Sequence, residues 1–230
     1  MRQPRGSGVT SASPWNDDER ALLATLDAPW KVQEYLDNLP YTLDDQTRSP
    51  RRVMREHCAH CSEGAIFAAA ALRFHGHRPL LLDLQAVDDD DHVVAIYQAR
   101  GLLGAVAKSN FSFIRFREPI YRSYRELALS YFEPYYNMLG ERTLRSYSRP
   151  LDLSRFDAKG WMTTEDDLEW IGDRLSALQH YPLVDETTVQ GLQPVDDLLY
   201  EAGLLGSDPA GLYKPKDHHE RRRRGDSGGH

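Results

Sequence analysis

Four consecutive alanines, Ala68 to Ala71, flanked by Ile66, Phe67 and Leu72 and closed by Gly76, narrow what this chain can fold into more than any other feature. Alanine has the best helix propensity, and glycine can take the left-handed conformation that stops a helix. Cys61 to Phe74 therefore reads as a buried helix, and a buried helix needs a surface to cover it. The following sequence supplies one. Pro79 to Leu84, His92 to Gln98 and Leu102 to Ala107 are short apolar runs separated by the acidic tetrad Asp88 to Asp91 and by Gly101, as strands separated by turns would be. One helix followed by at least three strands predicts an α+β domain in which a central helix packs on an antiparallel sheet.

Around this centre the apolar spacing predicts added helices at both ends. Leu22, Leu23 and Leu26, then Val32, Tyr35, Leu36 and Leu39, recur at three- and four-residue steps over Asp17 to Leu26 and Trp30 to Leu39. Tyr41 to Pro50 reads as a polar loop. Tyr124 to Leu139 reads as an aromatic core-packing helix, and Asp166 to Leu178 and Val195 to Ala202 as two more helices with acidic first turns. The chain thus divides into a flexible Gly/Ser/Pro/Thr-rich leader (1–15), a catalytic-type domain (16–157), a helical C-terminal extension (158–212) and a basic, glycine-rich disordered tail (213–230) that holds Arg221 to Arg224.

A formal net charge of −7 gives no electrostatic reason to expect nucleic acid or an anionic membrane as partner. No stretch approaches the roughly 18 apolar residues that cross a bilayer, and Met1 to Pro14 lacks the apolar centre of a secretion signal. Cys58 and Cys61 are the only cysteines, too few for a disulfide framework, so a reduced cytoplasmic setting is the expectation.

Cys61 stands in the first turn of the alanine-rich helix, where backbone N–H groups favour a thiolate and can hold an oxyanion. His92 opens the second strand, the place from which a general base could reach a helix terminus. The stretch Cys61-Ser62-Glu63-Gly64-Ala65, then Arg73, then Gly76-His77-Arg78-Pro79, with His92 about thirty residues after the cysteine, resembles the transglutaminase-like pattern. The resemblance covers roughly Val53 to Asn110. It implies a papain-like fold, a triad of Cys, His and an acidic or amide residue, no cofactor, and acyl transfer or hydrolysis on an amide, peptide or thioester. Where that family offers an Asp shortly after a tryptophan, this chain has Ala105-Val106-Ala107-Lys108-Ser109-Asn110. Asn110, whose amide oxygen can accept an imidazole N–H, is the expected third member, with Ser109 and Asp91 behind it.

Other readings of the same residues stand beside this one. The fold could be kept without turnover, as a peptide-binding or scaffold protein. Cys58 and Cys61, in His57-Cys58-Ala59-His60-Cys61, could join His75 and His77 in a zinc site. Asp88 to Asp91 read as a solvated turn that could also attract a cationic substrate. Arg115, Arg117, Arg122 and Arg125 read as a solvated or internally paired face, with an anion-binding rim as the functional alternative.

Overall fold

In the computed structural model, which describes residues 13–44 and 46–212, the chain forms a mixed α+β fold around a seven-stranded antiparallel sheet. Strands β1 (Leu80–Ala86), β2 (His92–Ala99), β3 (Leu102–Val106), β4 (Arg117–Tyr121), β5 (Leu144–Ser148), β6 (Leu151–Asp152) and β7 (His180–Pro182) lie in the order β4-β3-β2-β1-β5-β7, with β6 also paired to β1. Helix α4 (Cys61–Phe74) lies across β1 and β2. Around it pack α1 (Asp17–Thr25), α2 (Pro29–Asp37) and α3 (Pro50–Glu56), while α6 (Glu169–Ser176) packs on β1 and adds Ile171 and Leu175 to the same core.

The strand runs are almost wholly apolar because both faces of the sheet are covered. Successive side chains of a strand alternate between faces. Leu81, Val93, Ala95 and Tyr97 accordingly join the core built on α4, while Leu80, Leu82, Leu84, Val94 and Ile96 join a second core. That second core is completed by α5 (Tyr124–Leu129) and by Tyr131, Phe132 and Tyr135. Gly64 sets how closely α4 can approach the end of β3, since a Cβ there would overlap the Cβ of Lys108. Gln33 fastens α2 at the same place, its amide bonding the Ala107 carbonyl at 2.8 Å and the Ala107 N–H at 3.1 Å.

Three expectations need correction. The aromatic segment is not one helix to Leu139: α5 ends at Leu129, turns follow, and Tyr136 and Arg142 form an isolated bridge. Pro134 has no N–H to give a helix and crowds the preceding turn. Burial of Tyr131, Tyr135 and Tyr136 is nonetheless achieved. The polar loop after Tyr41 ends one residue early, because Ser49 caps and Pro50 opens α3, a helix too short to show apolar periodicity. The segment 158–212 is more than a helical addition. His180–Pro182 extends the sheet on β5, Trp161 is fully buried in the α4 core, and α7 (Glu186–Gly191) and α8 (Asp197–Leu204) continue the chain. Among the described residues no helix is long and apolar enough to cross a membrane. Most of the expected leader and the tail with Arg221 to Arg224 lie outside the described residues.

Candidate active site at the start of α4

The first turn of α4 is built to present a cysteine. His60 is its N-cap: Nδ1 accepts the Ser62 N–H at 3.2 Å, and the Glu63 carboxylate accepts the His60 N–H at 2.8 Å. Glu63 is fully buried and also receives the Arg48 N–H at 2.7 Å and the Arg48 guanidinium at 2.9 Å. Arg48, itself buried, reaches Glu56 on α3 as well. A buried carboxylate and guanidinium compensate each other only when their remaining hydrogen bonds are met, and here they tie three segments to one helix start. Cys61 follows at the first helical position, with its N–H facing the Tyr41 hydroxyl.

The thiol lies in a cavity of about 50 Å³ whose walls include Tyr41, Asp90, His92, Asn110, Tyr135 and Gly211. Burial pushes the Cys61 thiol up, but the adjoining imidazoles of His60 and His92 outweigh burial and hold it well below an ordinary thiol. Cys58, three residues earlier, is pushed up by burial. Burial also opposes charge on His60, yet the neighbouring thiolate and Glu63 carry it up to about 9. Its Nε2 faces the Gln46 carbonyl at 2.8 Å, which suits either protonation state. Nδ1 can cap Ser62 only when the ring is neutral and can pair with the thiolate only when it is charged.

His92 is 3% exposed, with its ring edge-on to Tyr131 and Tyr135. Its Nε2 lies 2.8 Å from the Ile114 carbonyl oxygen, which can only accept. Nε2 therefore carries the proton, leaving Nδ1 as the nitrogen able to take one from the thiol. The expected Asn110–His92 bond is absent, and Ile114 does the orienting. Both amide atoms of Asn110 are committed to Asp208: Nδ2 donates to its carbonyl at 2.8 Å and Oδ1 accepts its N–H at 2.8 Å. Neither runner-up replaces it. The Ser109 hydroxyl accepts the Phe111 N–H, and the Asp91 carboxylate accepts the Ala86 N–H. No side-chain spacing could reveal an orienter that is a main-chain carbonyl on a loop.

Tyr41 escaped the sequence reading too. Burial first, then the negative charge at Cys61, drives its hydroxyl far above the usual phenol value, so it remains a donor beside the thiol. A tyrosine twenty residues upstream of a cysteine carries no recognisable signal.

Asp89, Asp90 and Asp91 line the cavity; Asp90 and Asp91 are exposed, as the residues of a solvated turn would be, and Asp89 is half-buried. The Thr143 hydroxyl donates to Asp89 at 2.7 Å, and the Tyr135 hydroxyl donates to the Asp90 carbonyl at 2.6 Å. Burial raises all three carboxyls, Asp89 to about 6. The arginines stay out of the cavity wall. Arg117 covers the Tyr131 ring at 3.9 Å and bonds the Phe113, Phe116 and Ser130 carbonyls, Arg115 pairs with Asp37, and Arg125 bonds the Leu183 carbonyl. The zinc arrangement is not formed among the described residues. His75 and His77 follow the far end of a 14-residue helix, about 20 Å from Cys61 at 1.5 Å per residue.

Comparison with protein-family models and with curated protein sequences finds no match.

Proposed function

We propose that the chain is a transglutaminase-like thiol enzyme of papain-like fold, performing acyl transfer or hydrolysis on an amide, peptide or thioester. The observation that carries this reading is a half-buried cysteine at the first position of α4, its thiol held well below the ordinary range by two imidazoles, one of which has its tautomer fixed by a carbonyl. In the proposed reaction His92 Nδ1 takes the thiol proton and Cys61 Sγ attacks the substrate carbonyl carbon. The carbonyl electron pair moves to oxygen, where the Cys61 N–H and the Tyr41 hydroxyl can donate. Collapse expels the leaving amine or thiol with the His92 proton and leaves an acyl-thioester. Water or an amine, deprotonated by His92, then releases the acyl group. The Ile114 carbonyl holds the ring in its orientation and tautomer, as the amide of a papain-type triad would.

The decisive test is the pH dependence of Cys61 alkylation followed by mass spectrometry, with Cys58 as internal control. Fast labelling of Cys61 at pH 6, at least tenfold slower in His92→Ala, is expected. Equal, slow labelling of both cysteines, indifferent to His92, would overturn the reading. A second reading, a cleft that grips a peptide without turnover, draws on one observation: His92 is oriented by a neutral carbonyl where such enzymes usually carry a carboxylate or amide side chain. An activated ester separates the two, since an enzyme accumulates acyl-Cys61 and then loses it, whereas a binding cleft accumulates nothing above the rate seen with His92→Ala.

A further inference from the structure

Beyond α8 the chain turns back across the cleft. Residues 205–212 touch both of its walls. On one side the Ser112 hydroxyl donates to the Leu205 carbonyl at 2.6 Å, and Asn110 exchanges two hydrogen bonds with the Asp208 main chain. On the other side the backbone at Gly211 runs so close that an added Cβ would stand 2.9 Å from Leu43 and 3.3 Å from Tyr41. Gly211 thereby forms part of the cavity that holds Cys61 and His92.

The character of these contacts distinguishes them from core packing. Leu205, the one bulky apolar side chain at the start of the segment, is 78% exposed, and Asp208, Pro209 and Ala210 are exposed as well. What fastens the segment is polar: an asparagine amide that pairs with one residue's N–H and C=O together, as a neighbouring β-strand would, and one serine hydroxyl. Hydrogen bonds to the main chain recognise extended peptide of any sequence, and each adds only modestly to stability in water. A side chain able to hold the main chain of Asp208 can hold the main chain of another peptide in its place. The lack of room at Gly211 adds a second requirement, a small residue beside Tyr41.

We propose that residues 205–212 are an intramolecular strap occupying the peptide-binding side of the Cys61 cleft. Substrates are then peptides whose main chain replaces that of Asp208 on Asn110 and that carry a small residue beside Tyr41, where the strap makes the 3-10 turn Pro209–Gly211, and the strap must lift before they bind. This rests on the thiol-enzyme reading for its functional meaning, but access to Cys61 can be measured independently of thiol activation.

The experiment uses the full-length protein and the double variant Asn110→Ala/Ser112→Ala, labelled at pH 9, where ordinary thiols ionise, with iodoacetamide and with a bulky fluorescein maleimide. Expected is wild-type Cys61 that reacts with iodoacetamide but lags with the bulky reagent, and a double variant in which bulky labelling accelerates about tenfold while Cys58 labelling is unchanged. A synthetic peptide of residues 205–212, added to the variant, should slow that labelling again. Equal bulky labelling of wild type and a folded variant overturns the strap and leaves the thiol chemistry standing. Loss of fast labelling at pH 6 in both proteins overturns the chemistry and leaves the strap to be judged at pH 9. If the variant does not fold, wild-type hydrogen exchange decides: capping Cys61 with a glycyl chloromethyl ketone should speed exchange at the Asp208 amide at least tenfold, and no change overturns the proposal.

Discussion

The two ends of α4 are made of the same helix and obey different physics. At the C-terminal end Gly76 takes φ +89°, the His75 ring bonds the Leu23 carbonyl at 2.8 Å, and a half-buried Arg73 pairs with an exposed Asp157 at the surface. At the N-terminal end the charges are inside: Glu63 is fully buried, Arg48 is 7% exposed, and a thiol with two imidazoles shares the space. An exposed ion pair adds little because water serves both partners nearly as well. A buried pair costs desolvation to form, and losing one partner leaves an uncompensated charge. The chain has placed its expensive electrostatics where the cysteine is and an ordinary helix stop where it is not.

That contrast can be broken experimentally, most severely at Glu63. Glu63→Ala should cost about 3–5 kcal/mol in chemical denaturation by leaving the Arg48 and His60 main-chain N–H groups without their acceptor at a buried site, and should slow Cys61 labelling in whatever folds. A cost no greater than that of Asp157→Ala would erase the distinction between the ends. Gly64→Ala comes next, at about 1–3 kcal/mol, because the new methyl must push α4 off Lys108; an unchanged melting temperature would show that the close approach is not needed.

The carboxyl of Asp89 tests the same end through pH. Burial raises it in the folded chain to about 6, while the Thr143 bond works the other way. A raised folded value means that the folded state binds the proton more tightly than the unfolded state. The resulting stability is present below the unfolded value of about 4 and lost as pH rises through about 6. Asp89→Asn should therefore gain about 1–2 kcal/mol at pH 7 and nearly nothing at pH 4, read from denaturation midpoints. Equal effects at the two pH values would show that the carboxyl is not desolvated. The smallest effect belongs to the far end, where Arg73→Ala should cost no more than about 1 kcal/mol and fade in high salt.

The site divides along the same line. Cys61 and His92 were legible because their signals are local: a helix start, a strand start and the distance between them. Their partners were not. Ile114 acts through its main chain, which every residue possesses, and Tyr41 and His60 act through positions that only the packed loop defines. Asn110 shows the converse error. Its amide oxygen does accept an N–H, but that of Asp208, 98 residues later in the chain, and not that of His92. The aromatic segment failed for a local reason that was visible all along, Pro134.

By itself the sequence determined the central helix, the first three strands and the placement of a cysteine at the helix start, because propensity, glycine stops and apolar periodicity act over a few residues. Only the tertiary structure decided which group orients His92, where Asn110 is spent, how Asp89 loses part of its water, and that residues 158–212 extend the sheet and return to the cleft. Those outcomes depend on which distant segments meet in a dry interior, and hydrogen bonds and charges there take their strength from neighbours the local sequence does not name.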